Sequence, residues 1–76
     1  MISLERLSEI LRESGATKDS EILPTDQLQA DLMMNSMGLL MALVALEREY
    51  NMTMDLAAFV NVVTVEELLQ LLRKKD

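Results

Sequence analysis

The chain of 76 residues contains neither cysteine nor histidine. Without cysteine it forms no disulfide and offers no thiolate as a nucleophile or metal ligand, so a reducing cytoplasm is the expected compartment. Without histidine it lacks the commonest general base, the commonest metal ligand and every catalytic triad built on imidazole. We therefore expect a protein that holds no metal ion and is not an enzyme.

Helix breakers and aromatic residues are also scarce: the chain has one proline, two glycines, one phenylalanine, one tyrosine and no tryptophan. A chain of this length has room for one thin core, which must be mainly aliphatic. No internal repeat, low-complexity tract or linker divides the sequence. We predict a single domain over residues 1–76.

Basic residues are outnumbered, with seven against thirteen acidic ones, so the formal net charge is −6. Such a field repels nucleic acid and anionic membranes and attracts basic proteins. The N-terminus lacks the cationic flank and long apolar stretch of a signal peptide, and Glu47, Arg48 and Glu49 end the apolar run at 37–46 before it is long enough to span a bilayer. We expect a cytoplasmic monomer with protein partners.

Apolar residues at helical spacing predict a first amphipathic helix, for which Gly15 is a natural end. From residue 16 to 35 the periodicity fades around Pro24, which predicts a long loop, and loops of this length in compact domains are often functional. The apolar positions concerned are Leu4, Leu7, Ile10 and Leu11 in the helix, and Ile22, Leu23, Leu28 and Leu32, which we expect to hold the loop on the core.

The segment 36–50 is the most apolar part of the chain and predicts the central helix, with Asn35 as its N-cap and Ser36 at its start. At about 100° per residue its apolar side chains form two stripes. One stripe must face the core, whereas the other is either buried as well or an exposed docking face, a role that flexible methionine suits. The two stripes are Leu39, Leu43, Leu46 and Tyr50, and Met37, Leu40, Met41 and Val44.

Two further helices are predicted in the last third of the chain. Asp55 is the expected cap of one short helical turn that reaches Phe59, and Thr64 and Glu67 form a capping box at the start of the last helix. The valines at 60, 62 and 63 have no second strand to pair with, so the predicted fold class is all-α: a small bundle of three main helices and one short one. The apolar stripe of the last helix is Val65, Leu68, Leu69 and Leu72, followed by the cations Arg73, Lys74 and Lys75, which complement the helix dipole.

The pattern Leu28, Ala30-Asp31-Leu32 and Asn35-Ser36-Met37 precedes a helix that ends in Glu47-Arg48-Glu49-Tyr50. In this pattern, and in the order of its helices over almost the whole chain, the sequence resembles the acyl carrier protein family. In that family a serine in an Asp-Ser-Leu motif at the start of the second helix is esterified by 4′-phosphopantetheine. The resemblance implies that Ser36 receives this arm from coenzyme A through a Mg²⁺-dependent phosphopantetheinyl transferase. The arm's thiol would then hold an acyl group as a thioester for fatty-acid, polyketide or related biosynthesis.

The sequence departs from the family's motif, since Asn35 stands in place of the usual aspartate and Met37 in place of leucine. Asn35 retains the capping geometry but lacks the carboxylate that a transferase can recognise. No acid precedes Glu47 in the second helix, so we expect a docking face that is more apolar than is usual in the family. We also expect a dedicated set of partners with basic or apolar surfaces. The implied partner contacts are Met37, Leu40, Met41, Val44 and Glu47, with electrostatic steering from Asp31 and Glu47.

Three alternatives stay open on the sequence. The cargo is aminoacyl if the partner is an adenylating ligase, as in D-alanyl or peptide-synthetase systems. The chain is an unmodified interaction module if Asn35 marks a lost attachment motif and the methionine-rich stripe binds a partner helix. An enzyme or metal site built on Asp31, or on Asp19, Glu21 and Asp26, is disfavoured because these acids lie on a solvated loop without fixed spacing. Composition does not decide whether the core opens to shelter an acyl chain.

Overall fold

The computed structural model describes residues 2–74, which form four helices and a long loop between the first two. The first helix packs on the second and the third on the fourth. The predicted all-α fold, with three main helices and one short one, is therefore confirmed, whereas Lys75 lies outside the described residues. The helices are α1 (Leu4–Glu13), α2 (Ser36–Glu49), α3 (Leu56–Val60) and α4 (Val65–Lys74).

Apolar side chains from all four helices, aliphatic except for Phe59 of α3, form a single core. The predicted stripes of α1 and α4 face it, and the first predicted stripe of α2 does so too, with Leu39 and Tyr50 half-buried against it. Burying such side chains stabilises the fold by about 1.5–3 kcal/mol each. The buried apolar side chains of the helices are Leu7, Ile10 and Leu11 in α1, Ala42, Leu43 and Leu46 in α2, Phe59 in α3, and Val65, Leu68, Leu69 and Leu72 in α4.

The end of α1 fixes the start of the long loop. Gly15 has φ +114°, a backbone conformation that favours glycine, which confirms it as the stop. The guanidinium of Arg12 then donates to the carbonyl oxygens of Lys18 and Ser20, at 2.7 Å each. One side chain of α1 thus ties down the first turn of the loop.

The far half of the loop is held by the start of α4. The first N–H groups of a helix have no partner inside the helix, and here loop carbonyls accept two of them. A single antiparallel bridge between Gln27 and Thr64 lies beside these bonds, although the described residues contain no strand. The bonds are Val65 N–H to Asp26 O, Glu66 N–H to Pro24 O and, in the reverse direction, Leu28 N–H to Val63 O, each 2.9 Å.

Three of the four loop residues expected on the core are buried there, namely Ile22, Leu28 and Leu32. The prediction is wrong for Leu23, which is 45% exposed. Ile22, its neighbour, is 2% exposed, so only one of these two adjacent side chains enters the core. Ile22 takes the inward position.

Asp26 also differs from its prediction, because it is buried rather than solvated. Its Oδ2 accepts from the N–H of Leu23 at 2.8 Å and from Nζ of Lys18 at 2.6 Å. Both bonds lower the pKa of Asp26 below its ordinary value, and the bond from the backbone N–H of Leu23 contributes most. Among the described residues no three acidic side chains come together as a metal site, and Asp26 acts as an organiser of the loop.

The capping predictions for the last two helices are confirmed. Asp55 Oδ1 accepts from Ala57 N–H at 3.0 Å, although α3 extends to Val60, one residue beyond the predicted turn. Thr64 N–H donates to Glu67 Oε1 at 3.0 Å, and Glu67 N–H donates to Thr64 Oγ1 at 3.1 Å. None of the described helices combines the length and apolarity that a membrane span requires.

Candidate functional site

Ser36 is the first residue of α2, and its side chain is exposed. The cap before it is Asn35, as predicted: Asn35 Oδ1 accepts from Gly38 N–H at 2.8 Å and its carbonyl accepts from Leu39 N–H at 3.0 Å. The Ser36 hydroxyl has no hydrogen-bond partner among the described residues. The capping role therefore belongs to Asn35, which leaves the Ser36 hydroxyl accessible to another protein.

The first turn of α2 is suited to an anion. The N–H groups of Ser36 and Met37 have no acceptor among the residues that the structure describes. Free N–H groups and the positive end of the helix dipole both favour a phosphate at this position. The residues present thus fit a phosphodiester on the Ser36 oxygen.

Gly38 sets how closely this turn approaches α1. A Cβ atom at position 38 would lie 2.6 Å from the carbonyl oxygen of Ser14, the C-cap of α1, and 3.4 Å from Asn35 Oδ1. Only glycine permits this approach, so Gly38 places Ser36 relative to α1. This role of Gly38 was not predicted from the sequence, although an isolated glycine in a helix is a known signal of close backbone approach.

A groove of about 320 Å³ begins at Ser36 and runs between α2 and α3. Apart from Ser36 and Gln29 its walls are apolar. They come from the long loop, two helices and the connector after α3, so no single stretch of sequence indicates the groove. The apolar lining residues are Leu28, Leu39, Leu40, Leu56, Phe59, Val60 and Val62.

The second predicted stripe of α2 is exposed rather than buried. Met37 is 64% exposed, Leu40 48%, Met41 52% and Val44 41%. Met33, at the end of the loop, is 69% exposed and lines the same surface cleft as Met37 and Met41. Met33 was not predicted from the sequence, because it precedes the helix and belongs to no periodic pattern. We call Met37, Leu40, Met41 and Val44 the exposed α2 face.

The two acids of α2 are bonded within the chain. Glu47, expected to be a partner contact, is half-buried and its Oε2 accepts from Met54 N–H at 2.9 Å. Glu49 pairs with Arg6 of α1, whose Nε donates to Glu49 Oε2 at 2.6 Å. This contact lowers the pKa of Glu49 and helps to raise that of Arg6. Asp31 is exposed, but its Oδ2 accepts from the N–H of Gln27 at 2.6 Å.

The acids expected to steer partners also have contacts within the chain. Steering was expected from Asp31, Glu47 and the net charge of the chain, and the two carboxylates each accept one backbone N–H, from Gln27 and Met54 respectively. In α2 the cation Arg48 is exposed and has no ion-pair partner among the described residues. Next to Ser36 the exposed surface of α2 is apolar, formed by Met37 and Leu40, whereas the charged residues of α2 lie toward the far end of the helix.

Comparison with known families matches residues 4–72, from the start of α1 to the last turn of α4, to the model of a family described as phosphopantetheine attachment site. No individual curated protein matches the chain.

Proposed function

The chain belongs to the phosphopantetheine attachment site family, and we propose that it carries acyl intermediates as thioesters on an arm attached to Ser36. Proteins of this family bear a covalent 4′-phosphopantetheine and act as carriers rather than as catalysts. The arm supplies the thiol that the chain itself lacks.

The observation that carries the proposal is that Ser36 is exposed on the first turn of α2, where the N–H groups of Ser36 and Met37 have no acceptor among the described residues. Asn35 satisfies the cap, so Ser36 is not needed for it. No side chain of the described residues is bonded to the hydroxyl as a base. The phosphopantetheinyl transferase must therefore remove the proton when the Ser36 oxygen bonds to the phosphorus next to pantetheine in coenzyme A. The bond from that phosphorus to the bridging oxygen of the diphosphate breaks, and adenosine 3′,5′-bisphosphate leaves.

An acyl rather than an aminoacyl cargo is supported by the groove beside Ser36. Its apolar walls favour methylene groups, each worth about 0.8 kcal/mol when fully buried. An aminoacyl group brings an ammonium, which is costly to transfer from water into apolar surroundings. The groove thus favours fatty-acid, polyketide or related acyl chemistry.

The exposed α2 face is the docking surface that we propose for the transferase and for acyl-handling partners, with Met37 and Leu40 nearest to Ser36. Methionine and aliphatic side chains suit apolar partner surfaces, while the net charge of −6 attracts basic ones over longer distances. We place the carrier in the cytoplasm as a monomer, since a reducing compartment keeps the thiol of the arm free.

The direct test is the intact mass after incubation with coenzyme A, Mg²⁺ and a broad-specificity phosphopantetheinyl transferase. We expect one added arm on the wild type and on Ser20→Ala, a control at another exposed serine, and none on Ser36→Ala. Addition to Ser36→Ala would move the site elsewhere. No addition to the wild type with several transferases would favour an unmodified interaction module, with Asn35 as the disabled part of the motif.

A further inference from the structure

A methionine-lined cleft of about 270 Å³ lies where the start of α2 meets the end of α1. Three exposed methionines line it: Met33, Met37 and Met41, which are 69%, 64% and 52% exposed. Met34 also lines the cleft but is buried, with only 4% of its surface exposed. Of the other described methionines, Met54 is buried and Met52 half-buried. The well-exposed methionines of the described residues are therefore concentrated at one place, beside Ser36.

The geometry explains why three thioethers share this surface. Met37 and Met41 are four residues apart in α2, so they lie on one face of the helix. Met33 reaches the same cleft from the loop, where it has φ 59°, an uncommon conformation for a residue with a side chain. Its neighbour Met34 points into the core instead.

We propose that Met33, Met37 and Met41 form a reversible oxidation site that controls docking at Ser36. The proposal rests on the proposed function. The oxidant is a peroxide: each thioether sulfur forms a bond to one peroxide oxygen, the O–O bond breaks, and the other oxygen leaves as water. The sulfur loses two electrons and the peroxide gains them. Methionine sulfoxide reductases, with a thiol as reductant, reverse the reaction.

Oxidation changes the docking surface because a sulfoxide is polar and a strong hydrogen-bond acceptor, whereas a thioether is apolar. Docking of an apolar partner surface then buries an unpaired polar group, which carries a desolvation penalty. Met37 and Met41 make up half of the exposed α2 face. Oxidation should thus slow docking while leaving the core, to which none of the three contributes a buried side chain, intact.

The test uses the full-length chain before the arm is added, since the thiol of the arm also reacts with peroxide. After limited treatment with hydrogen peroxide, peptide mapping should find one oxygen on each of Met33, Met37 and Met41, and little on Met34 or Met54. The initial rate of arm transfer to Ser36 should fall roughly tenfold, the size expected for one unpaired polar group. Treatment with sulfoxide reductases should restore it.

Two variants separate this effect from general damage. In the triple variant Met33→Leu, Met37→Leu and Met41→Leu, the ratio of rates before and after peroxide should stay near one, whatever the starting rate. In Met52→Leu the loss of rate should remain as in the wild type. Circular dichroism of the oxidised wild type should show the helices retained.

The possible outcomes distinguish this inference from the proposed function. If untreated protein is not loaded at Ser36, the proposed function fails. If it is loaded, but the oxidised protein is loaded at the same rate, only the inference fails. Oxidation of Met34 and Met54 as fast as of the three exposed methionines would also overturn it, because selectivity by exposure would then be absent.

Discussion

The carbonyl oxygen of Ser14 occupies the space that a side chain on Gly38 would need: a Cβ atom at position 38 would lie only 2.6 Å from it. Ser14 caps the end of α1, and Gly38 lies in the first turn of α2. The contact fixes the turn that bears Ser36 against a helix end. It is backbone against backbone, so no rearrangement of a side chain relieves it.

Gly38→Ala should therefore destabilise the protein, by about 1–3 kcal/mol as in other overpacked cores. The direction of the change in stability tests this contact, because at an open position inside a helix the substitution of glycine by alanine stabilises the protein by about 0.5–1 kcal/mol. Urea denaturation of the variant measures the change. A stability equal to or above that of the wild type would show that α1 and α2 do not approach each other this closely.

Asn35→Ala should cost about 1 kcal/mol, since it removes the side-chain oxygen that accepts from Gly38 N–H. Asn35→Asp retains the acceptor and adds a negative charge at the positive end of α2, so it should leave stability unchanged or raise it by about 0.3–1 kcal/mol. It also restores the carboxylate beside Ser36. We expect faster arm transfer to Asn35→Asp than to the wild type; an unchanged rate would mean that the transferase does not recognise this carboxylate.

Local signals account for what the sequence predicted well. The caps at Asn35, Asp55 and Thr64 act within one helical turn, and the helical stripes depend on spacing alone. Their partners are therefore visible in a short stretch of sequence.

Tertiary contacts account for what the sequence did not predict. Arg6 and Glu49 are separated by 43 residues, and the walls of the groove come from four segments. The inward turn of Asp26 depends on Lys18 and on the backbone of Leu23. Such contacts leave no periodic pattern, because they depend on how the elements are placed relative to one another.

Stability should be nearly constant from pH 8 to about 5.5 and fall in acid. The chain has no histidine to titrate near neutrality. The pKa values of Asp26, Glu49 and Glu67 are lowered below the ordinary 3.8 and 4.5, for Glu67 chiefly by the N–H of Thr64. At a pH between the pKa values of the folded chain and the ordinary pKa values, the unfolded chain therefore binds more protons than the folded one. The stabilisation by these carboxylates is complete above the ordinary pKa values and is lost as the pH falls through the pKa values of the folded chain.

Urea midpoints between pH 3 and 8 measure this profile, with Asp26→Asn as the comparison. That variant lacks the carboxylate which bonds to Leu23 and Lys18, so it should be less stable at neutral pH and lose less on acidification. A transition near pH 6.5, or an acid slope identical to that of the wild type, would contradict the assignment.

The groove predicts that cargo length affects thermal stability. If the methylenes of a medium-length acyl chain on the arm enter the groove, the melting temperature should be higher than that of the acetyl form. Each buried methylene adds up to about 0.8 kcal/mol to the free energy of unfolding. Val60→Gln places a polar group in the lining and should reduce the difference. Val63→Gln, at a residue that is also exposed but does not line the groove, should not. Equal melting temperatures for both cargoes would place the acyl chain outside.

Val44→Glu tests the exposed α2 face at a distance from the attachment point. Val44 is 41% exposed and eight residues after Ser36, about 12 Å along the helix axis, so the change leaves the serine and its cap intact. We expect stability within about 0.5 kcal/mol of the wild type, as for other surface substitutions, but slower arm transfer, since docking would bury an unpaired carboxylate. Leu23→Glu, which places the same charge at an exposed leucine of the loop, is the matched control and should be loaded at the wild-type rate. If the two variants are loaded equally fast, the transferase docks elsewhere, and the exposed α2 face must serve a different partner.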